Sequence, residues 1–298
     1  MTYLGIDIGG TTAKLGIVDD DGTILARTAV ATAGLQDGAA IVDAILQAAA
    51  PLVETHRPAA VGIGSAGRID VQNGVVLRAG NLPFQNEPLC AKVSAALHLP
   101  TFLDNDANCA LLAEATCGVC TDCRDALMVT LGTGVGGAIL INGTLYRAHN
   151  YRAGEFGHFV FDKDGPPCVC GLRGCFEHYA SATALVKAAQ TAAEEHPDSR
   201  LAAAKPHSAK AVFDAAEDGC PVAEDVLAAY GETLALGLNS LLKIFMPQCI
   251  VLAGGVANAG DALLRRTTPH LLPEAELRLS SFASDAGLIG AAMLAKIQ

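Results

Sequence analysis

Four side chains within eighteen residues carry the sharpest chemical signal in this chain: His158, Cys168, Cys170 and Cys175. One imidazole and three thiolates make a complete tetrahedral set for structural Zn²⁺. The C-x-C and C-x4-C spacing, with Gly171 and Gly174 between, lets one loop wrap the ion. A closed shell leaves no position for water, so such a zinc is structural and fixes the loop carrying Glu155 and Glu177. A second group, Cys117, Cys120 and Cys123, offers three sulfurs and no nearby histidine. Incidental cysteines at a helix end and connector are the preferred reading there, against a metal site or an oxidative cross-link.

Glycine turns form the second signal. Gly9-Gly10-Thr11-Thr12 joins two apolar runs, and Gly132-Thr133-Gly134 with Gly136-Gly137 does the same further along. Such turns let backbone N–H groups approach phosphate oxygens and tolerate positive φ. Neither turn has the Walker A pattern or a G-x-G-x-x-G opening a helix. Asp7 precedes the first turn, where a carboxylate suits Mg²⁺ held through water. Lys14 follows on the next strand, reaching phosphate or simply solvated. Gly254-Gly255 ends the apolar run Cys249–Ala253, as a ligand loop or a close strand-to-helix turn. Asp104-Asn105-Asp106 opens a helix; all three are good N-caps, and Asp106 is the candidate general base.

The elements that must position these groups alternate. Strands are expected near 3–8, 14–18, 24–30, 59–64, 100–103, 126–131, 135–141, 158–161, 248–252 and 276–279. Helices are expected near 37–54, 88–98, 107–117, 181–195, 208–217, 221–245, 260–271 and 285–297, which makes an α/β protein. Leu4 to Leu25 and Met128 to Tyr146 both read strand, glycine turn, strand, tight turn, strand. The tight turns, Asp21-Gly22 and Asn142-Gly143, are type I′ pairs. This echo points to a duplicated domain with a cleft between the halves.

Composition limits the partners. The 298 residues favour two domains, and 51% hydrophobic against 17% charged residues supplies a large core. The net charge of −11 disfavours nucleic acid and anionic membranes, and the absence of Trp argues against a base-stacking platform. No apolar run of roughly 18 residues and no signal peptide are evident, so a cytoplasmic location is expected.

Taken together, Gly5 to Ala292 resembles the ROK family of sugar kinases in the actin-like ATPase superfamily. The most specific stretch is Glu155-Phe156-Gly157-His158 with Cys168-Val169-Cys170-Gly171-Leu172-Arg173-Gly174-Cys175-Phe176-Glu177, which fits the family's zinc motif. The resemblance implies two actin-like, ribonuclease-H-like lobes, residues 1–117 with 282–298 and residues 118–281. It implies ATP, Mg²⁺ and structural Zn²⁺, and usually a homodimer. ATP phosphates are then expected at Asp7, Gly9, Gly10, Thr11, Thr12, Lys14, Gly132, Thr133, Gly134, Gly254 and Gly255. The hexose is expected at Gly67, Asn81, Asn105, Asp106, Glu155, His158 and Glu177, with Asp106 as catalytic base. Asn81-Leu82-Pro83 resembles a substrate-contacting segment, while Ala66 replaces a proline common before Gly67.

Glucose is the leading expected substrate; fructose, mannose, N-acetylglucosamine and N-acetylmannosamine remain alternatives. The rival class is a ROK-type sugar-sensing regulator without kinase activity. Such regulators carry an N-terminal winged helix-turn-helix, and with the first phosphate strand starting within a few residues none is expected here.

Overall fold

The computed structural model describes residues 1–298. The first elements are β1 (Thr2–Ile8), β2 (Thr12–Asp19), β3 (Ile24–Ala31), α1 (Gly38–His56), β4 (Val61–Ser65), β5 (Arg68–Asp70), β6 (Val75–Arg78), β7 (Gln85–Glu87), α2 (Leu89–Leu97), β8 (Thr101–Asn105) and α3 (Asp106–Cys117). There follow β9 (Ala126–Leu131), β10 (Val135–Ile141), β11 (Thr144–Leu145), α4 (Glu177–Ala180), α5 (Ala182–Glu195), α6 (Arg200–Ala204), α7 (Ala209–Glu217) and α8 (Pro221–Phe245). The chain ends with β12 (Cys249–Ala253), α9 (Asp261–Thr267), β13 (Leu277–Leu279) and α10 (Ala286–Lys296).

Two five-stranded sheets share one strand order: β3-β2-β1-β4-β8 and β11-β10-β9-β12-β13. In the first sheet, β1 to β3 form an antiparallel meander, and β4 and β8 continue it in parallel. In the second, β12 runs parallel to both β9 and β13. The echo seen in the sequence is therefore an echo of topology. The chain divides into two compact units, residues 1–123, 138–153 and 281–298, and residues 124–137 and 154–280. The segment 138–153, expected with the C-terminal half, belongs to the first unit, so the chain changes unit inside β10.

Several local expectations give way to packing. Asn142 and Gly143 both take positive φ, as a type I′ turn requires. At the other hairpin only Gly22 does; Gly22 N–H donates to Asp19 O at 3.2 Å, and the ladder shifts register between Ile17 and Val18. No strand forms at 158–161: Phe156–His158 is a 3₁₀ turn, and Val160 makes a single bridge to Cys175. The short meander β5-β6-β7 has no strong sequence signature. Helix α1 is, by length and composition, apolar enough to span a bilayer, contrary to expectation. Its face Ile41, Val42, Ile45 and Ala49 instead belongs to the core of the first unit.

Helix α10 is the keystone of that core. It is buried from Leu288 to Ala295, and three glycines let backbones touch around it. A Cβ on Gly5 would stand 2.3 Å from Leu288 O, on Gly62 1.7 Å from Ala291 O, and on Gly290 1.6 Å from Cys109 O. No side chain could move aside, because each obstacle is main chain. Gly62→Ala is therefore expected to lose about 1–3 kcal/mol or more. Gly80→Ala, where a Cβ meets nothing within 4 Å, should leave the midpoint of denaturant unfolding in place. Equal midpoints for the two variants would refute this account of α10.

Candidate active site

In the first unit the carboxyl ends of the parallel strands line up. Asp7 of β1, Gly64 of β4 and Asp104 of β8 share one register row; Ile8, Ser65 and Asn105 form the next. Ligands of open α/β sheets gather at such ends. The Gly9–Thr11 turn follows β1, braced by Thr32, whose hydroxyl donates to Gly9 O at 2.8 Å and whose N–H donates to Thr11 O at 3.0 Å. Neither Gly9 nor Gly10 takes positive φ. What glycine supplies at position 10 is close approach, since a Cβ would lie 3.1 Å from that of Asn81. Asn81 thus rests directly on the turn, although 71 residues separate them.

Asp106 is the first residue of α3. Asn105 caps that helix, its Oδ1 accepting from Ala107 N–H at 2.9 Å, while its Nδ2 donates to Gly67 O at 3.4 Å. Gly67 sits at φ 110° with Arg78 O only 2.4 Å from where a Cβ would be, so only glycine fits whatever precedes it. Burial, more than any other influence, raises the Asp106 carboxyl above the ordinary range. Asp7 is pushed up to about 6, by burial first and by the charge on Asp106 second, with Lys14 opposing. The Asp7 carboxylate lies over Gly287 at the start of α10, 2.8 Å from the position of an added Cβ. Lys14, the cross-strand partner of Asp7, donates to Ser284 O and lies 4.0 Å from Asp285, which also pairs with Arg27. Lys14 is held, not loosely solvated.

Sequence reasoning missed Arg147. Its guanidinium pairs with the buried Asp104, Nε at 2.7 Å and Nη2 at 2.6 Å. The two lie 43 residues apart, and nothing in local spacing announces the pair. It also missed Glu114, fully buried in α3, which accepts from Val119 N–H, Ser281 N–H and the Ser281 hydroxyl at 2.8–3.0 Å.

In the second unit, Gly132-Thr133-Gly134 joins β9 to β10. The start of α5 holds this turn: Ala182 N–H donates to Gly132 O at 2.8 Å and Thr183 Oγ1 to Thr133 O at 2.7 Å. Gly254 adopts φ 88° and abuts Leu131, so the turn itself demands glycine there. Gly255 is free of that constraint and, with Thr133, Thr183, Lys187, Gln190 and His207, lines a cavity of about 620 Å³.

His158, Cys168, Cys170 and Cys175 gather their ligand atoms within 4.8 Å of one another. His158 Nδ1 is 3.6 Å from Cys168 Sγ, and Cys170 Sγ is 3.5 Å from Cys175 Sγ. Those separations fit ligands about 2.0–2.3 Å from a common centre. The loop is closed by Cys168 N–H to Leu172 O at 2.8 Å and by a Pro167–Arg173 bridge. Beneath it, the fully buried Phe176 stacks on Phe159 at 4.9 Å. His158 Nε2 faces Glu155 at 4.0 Å. Glu177 touches three features at once: Cys168 Sγ at 3.5 Å, His158 Nδ1 at 3.5 Å, and Gly134, where a Cβ would stand 2.7 Å from its carboxylate. The sulfurs of Cys117, Cys120 and Cys123 do not form such a group; Cys117 instead bonds back to Ala113 O within α3.

Known proteins resemble this chain over its whole length. It is 38% identical over 309 residues to the glucokinase of Streptomyces coelicolor, covering 98% of this chain and 97% of the relative. It is 34% identical over 301 residues to an Escherichia coli N-acetylmannosamine kinase, covering 99% of each. Among solved structures, a ROK family glucokinase from Streptomyces griseus in complex with glucose and AMPPNP matches with a TM-score of 0.87 and 36% identity, covering 100% of both chains. Such neighbours share the mixed α/β, actin-like ATPase fold. The ROK family sequence model matches residues 3–298. The chain belongs to the ROK family.

Proposed function

We propose that this protein is an ATP-dependent hexose kinase that phosphorylates glucose to glucose 6-phosphate. The observation that carries the reading is the full-length likeness to a glucokinase holding glucose and AMPPNP. In this reading the Asp106 carboxylate takes the proton of the attacking hydroxyl. The sugar oxygen bonds to the γ-phosphorus, the bond from that phosphorus to the β–γ bridging oxygen breaks, and ADP leaves. Phosphoryl transfer asks mainly for alignment and charge stabilisation, with base assistance of about 10²–10⁴-fold.

The Gly9–Thr12 and Gly132–Gly134 turns receive the phosphates, and the cavity beside Thr133 and Gly255 takes the rest of the nucleotide. Asp7 is the residue suited to hold Mg²⁺, which would supply charge neutralisation at the phosphates. Gly67, Asn81 and Asn105 position the sugar, with Glu155, His158 and Glu177 accepting or donating at its hydroxyls. A structural zinc on His158, Cys168, Cys170 and Cys175 would stiffen the loop bearing those carboxylates. We further read the protein as cytoplasmic and homodimeric; exposed Leu236, Ile244 and Met246 on and just past α8 support a self-association face.

A coupled ADP-release assay over glucose, fructose, mannose, N-acetylglucosamine and N-acetylmannosamine tests the reading, with glucose expected to give the highest kcat/KM. Asp106→Asn should lose about 10²-fold or more in kcat and still bind ATP. Wild-type protein that phosphorylates none of these sugars would reject the proposal.

Zinc has its own readout. Purified protein should contain one zinc per chain by elemental analysis. Cys175→Ser should abolish it and lower the unfolding temperature; metal-free protein of unchanged stability would remove zinc from the account.

The raised Asp7 carboxyl fixes a sign. The fold favours its neutral form, so the Asp7 contribution to stability is fully present below the unfolded value of 3.8 and is lost as pH rises through about 6. Without Mg²⁺, Asp7→Asn should therefore stabilise the protein at pH 8 by about 1–2 kcal/mol while abolishing turnover. A destabilised Asp7→Asn would show that the carboxylate is not held against its preference.

A further inference from the structure

Asp104 is 1% exposed and its carboxylate is saturated. One oxygen accepts from Asn105 N–H at 2.7 Å and Asn108 Nδ2 at 2.8 Å. The other accepts from Arg147 Nε at 2.7 Å and Nη2 at 2.6 Å. Two of these donors, Asn105 and Asn108, flank Asp106 in the turn from β8 into α3. The other two belong to one planar guanidinium, whose Nε and Nη2 converge on that single oxygen and so fix direction as well as distance.

Arg147 is itself held. Its Nη1 donates to Leu145 O at 3.3 Å, and the next residue, Ala148, takes φ 56°, a conformation costly for a residue with a Cβ. Further on, Tyr151 Oη donates to Gln72 Oε1 at 3.4 Å. The segment 138–153, the one that changes unit inside β10, is thus tied at two points to the rest of the first unit. A buried carboxylate paired with one arginine cannot lose that partner without being left as an uncompensated charge.

We propose that Arg147 is a positioning residue for Asp106, acting through Asp104. Arg147 holds Asp104, Asp104 holds the Asn105 amide and the Asn108 side chain, and the turn between them sets the direction of the Asp106 carboxylate. The proposal rests on the reading of Asp106 as the base.

The test uses the full-length protein and the variants Arg147→Met, Arg147→Lys and the charge-neutral pair Asp104→Asn/Arg147→Met. In Arg147→Met, deuterium exchange of the amides of residues 104–108 should rise, and kcat should fall about 10–100-fold with the KM for ATP within about twofold of wild type. Arg147→Lys keeps the charge without the two-bond geometry, so it should recover thermal stability more fully than kcat. The double variant removes the stranded charge; it should regain stability yet stay at least about tenfold low in kcat. Where Arg147→Met does not fold, the other two variants decide the matter.

A purely structural ion pair predicts the opposite: kcat returning in step with stability in the double variant. That result, full kcat in Arg147→Lys, or unchanged exchange at 104–108 would overturn the proposal. Exchange is read without substrate, so an inactive wild type would fault the assignment of Asp106 while leaving the tether itself to be judged.

Discussion

Two carboxylates of like charge, Asp7 and Asp106, are brought out of bulk water within electrostatic reach of each other, and this costs the fold free energy. The rest of the first unit arranges and opposes that repulsion. Parallel pairing of β1, β4 and β8 brings the strand ends into register. The start of α10 lies under the Asp7 carboxylate, and the glycine contacts at Gly5, Gly62 and Gly290 fix where that helix begins. Lys14, tied down by Ser284 and Asp285, supplies the compensating charge. The arrangement has the character of a site that spends stability on chemistry.

The second unit solves a different problem, holding a loop with little secondary structure. Its bracing is layered: four metal-type ligands above, the phenyl stack of Phe159 and Phe176 below, and α8 beneath that. Gly237 of α8 has no side chain because the Phe176 ring lies 2.2 Å from where a Cβ would be. The loop thereby gains rigidity without a helix or strand of its own.

Much of this was legible in the sequence wherever chemistry and local geometry coincide. Glycine turns between apolar β-branched runs gave the matching hairpins, and the His158–Cys175 spacing gave a ligand set that the fold does assemble. Legibility ended where long-range packing decides. The register row of Asp7, Gly64 and Asp104 depends on pairing three strands distant in sequence. The Asp104–Arg147 pair needs a hairpin from one half to return to the other. The run 158–161 looks like a strand, but its neighbours are committed to the cysteine loop, so only Val160 finds a partner. Gly22 and Gly10 illustrate the same limit: a glycine is visible in sequence, but whether it serves φ or contact distance is not.

One contact joins the second glycine turn to the cysteine loop. Gly134 and Glu177 are 43 positions apart in sequence, yet there is no room between them for one methyl group. Any side chain at position 134 would push the carboxylate aside, and the carboxylate cannot shift inward while the turn stays as it is. The loop's hold on that carboxylate, through Cys168 and His158, is therefore also a hold on the size of the residue at 134.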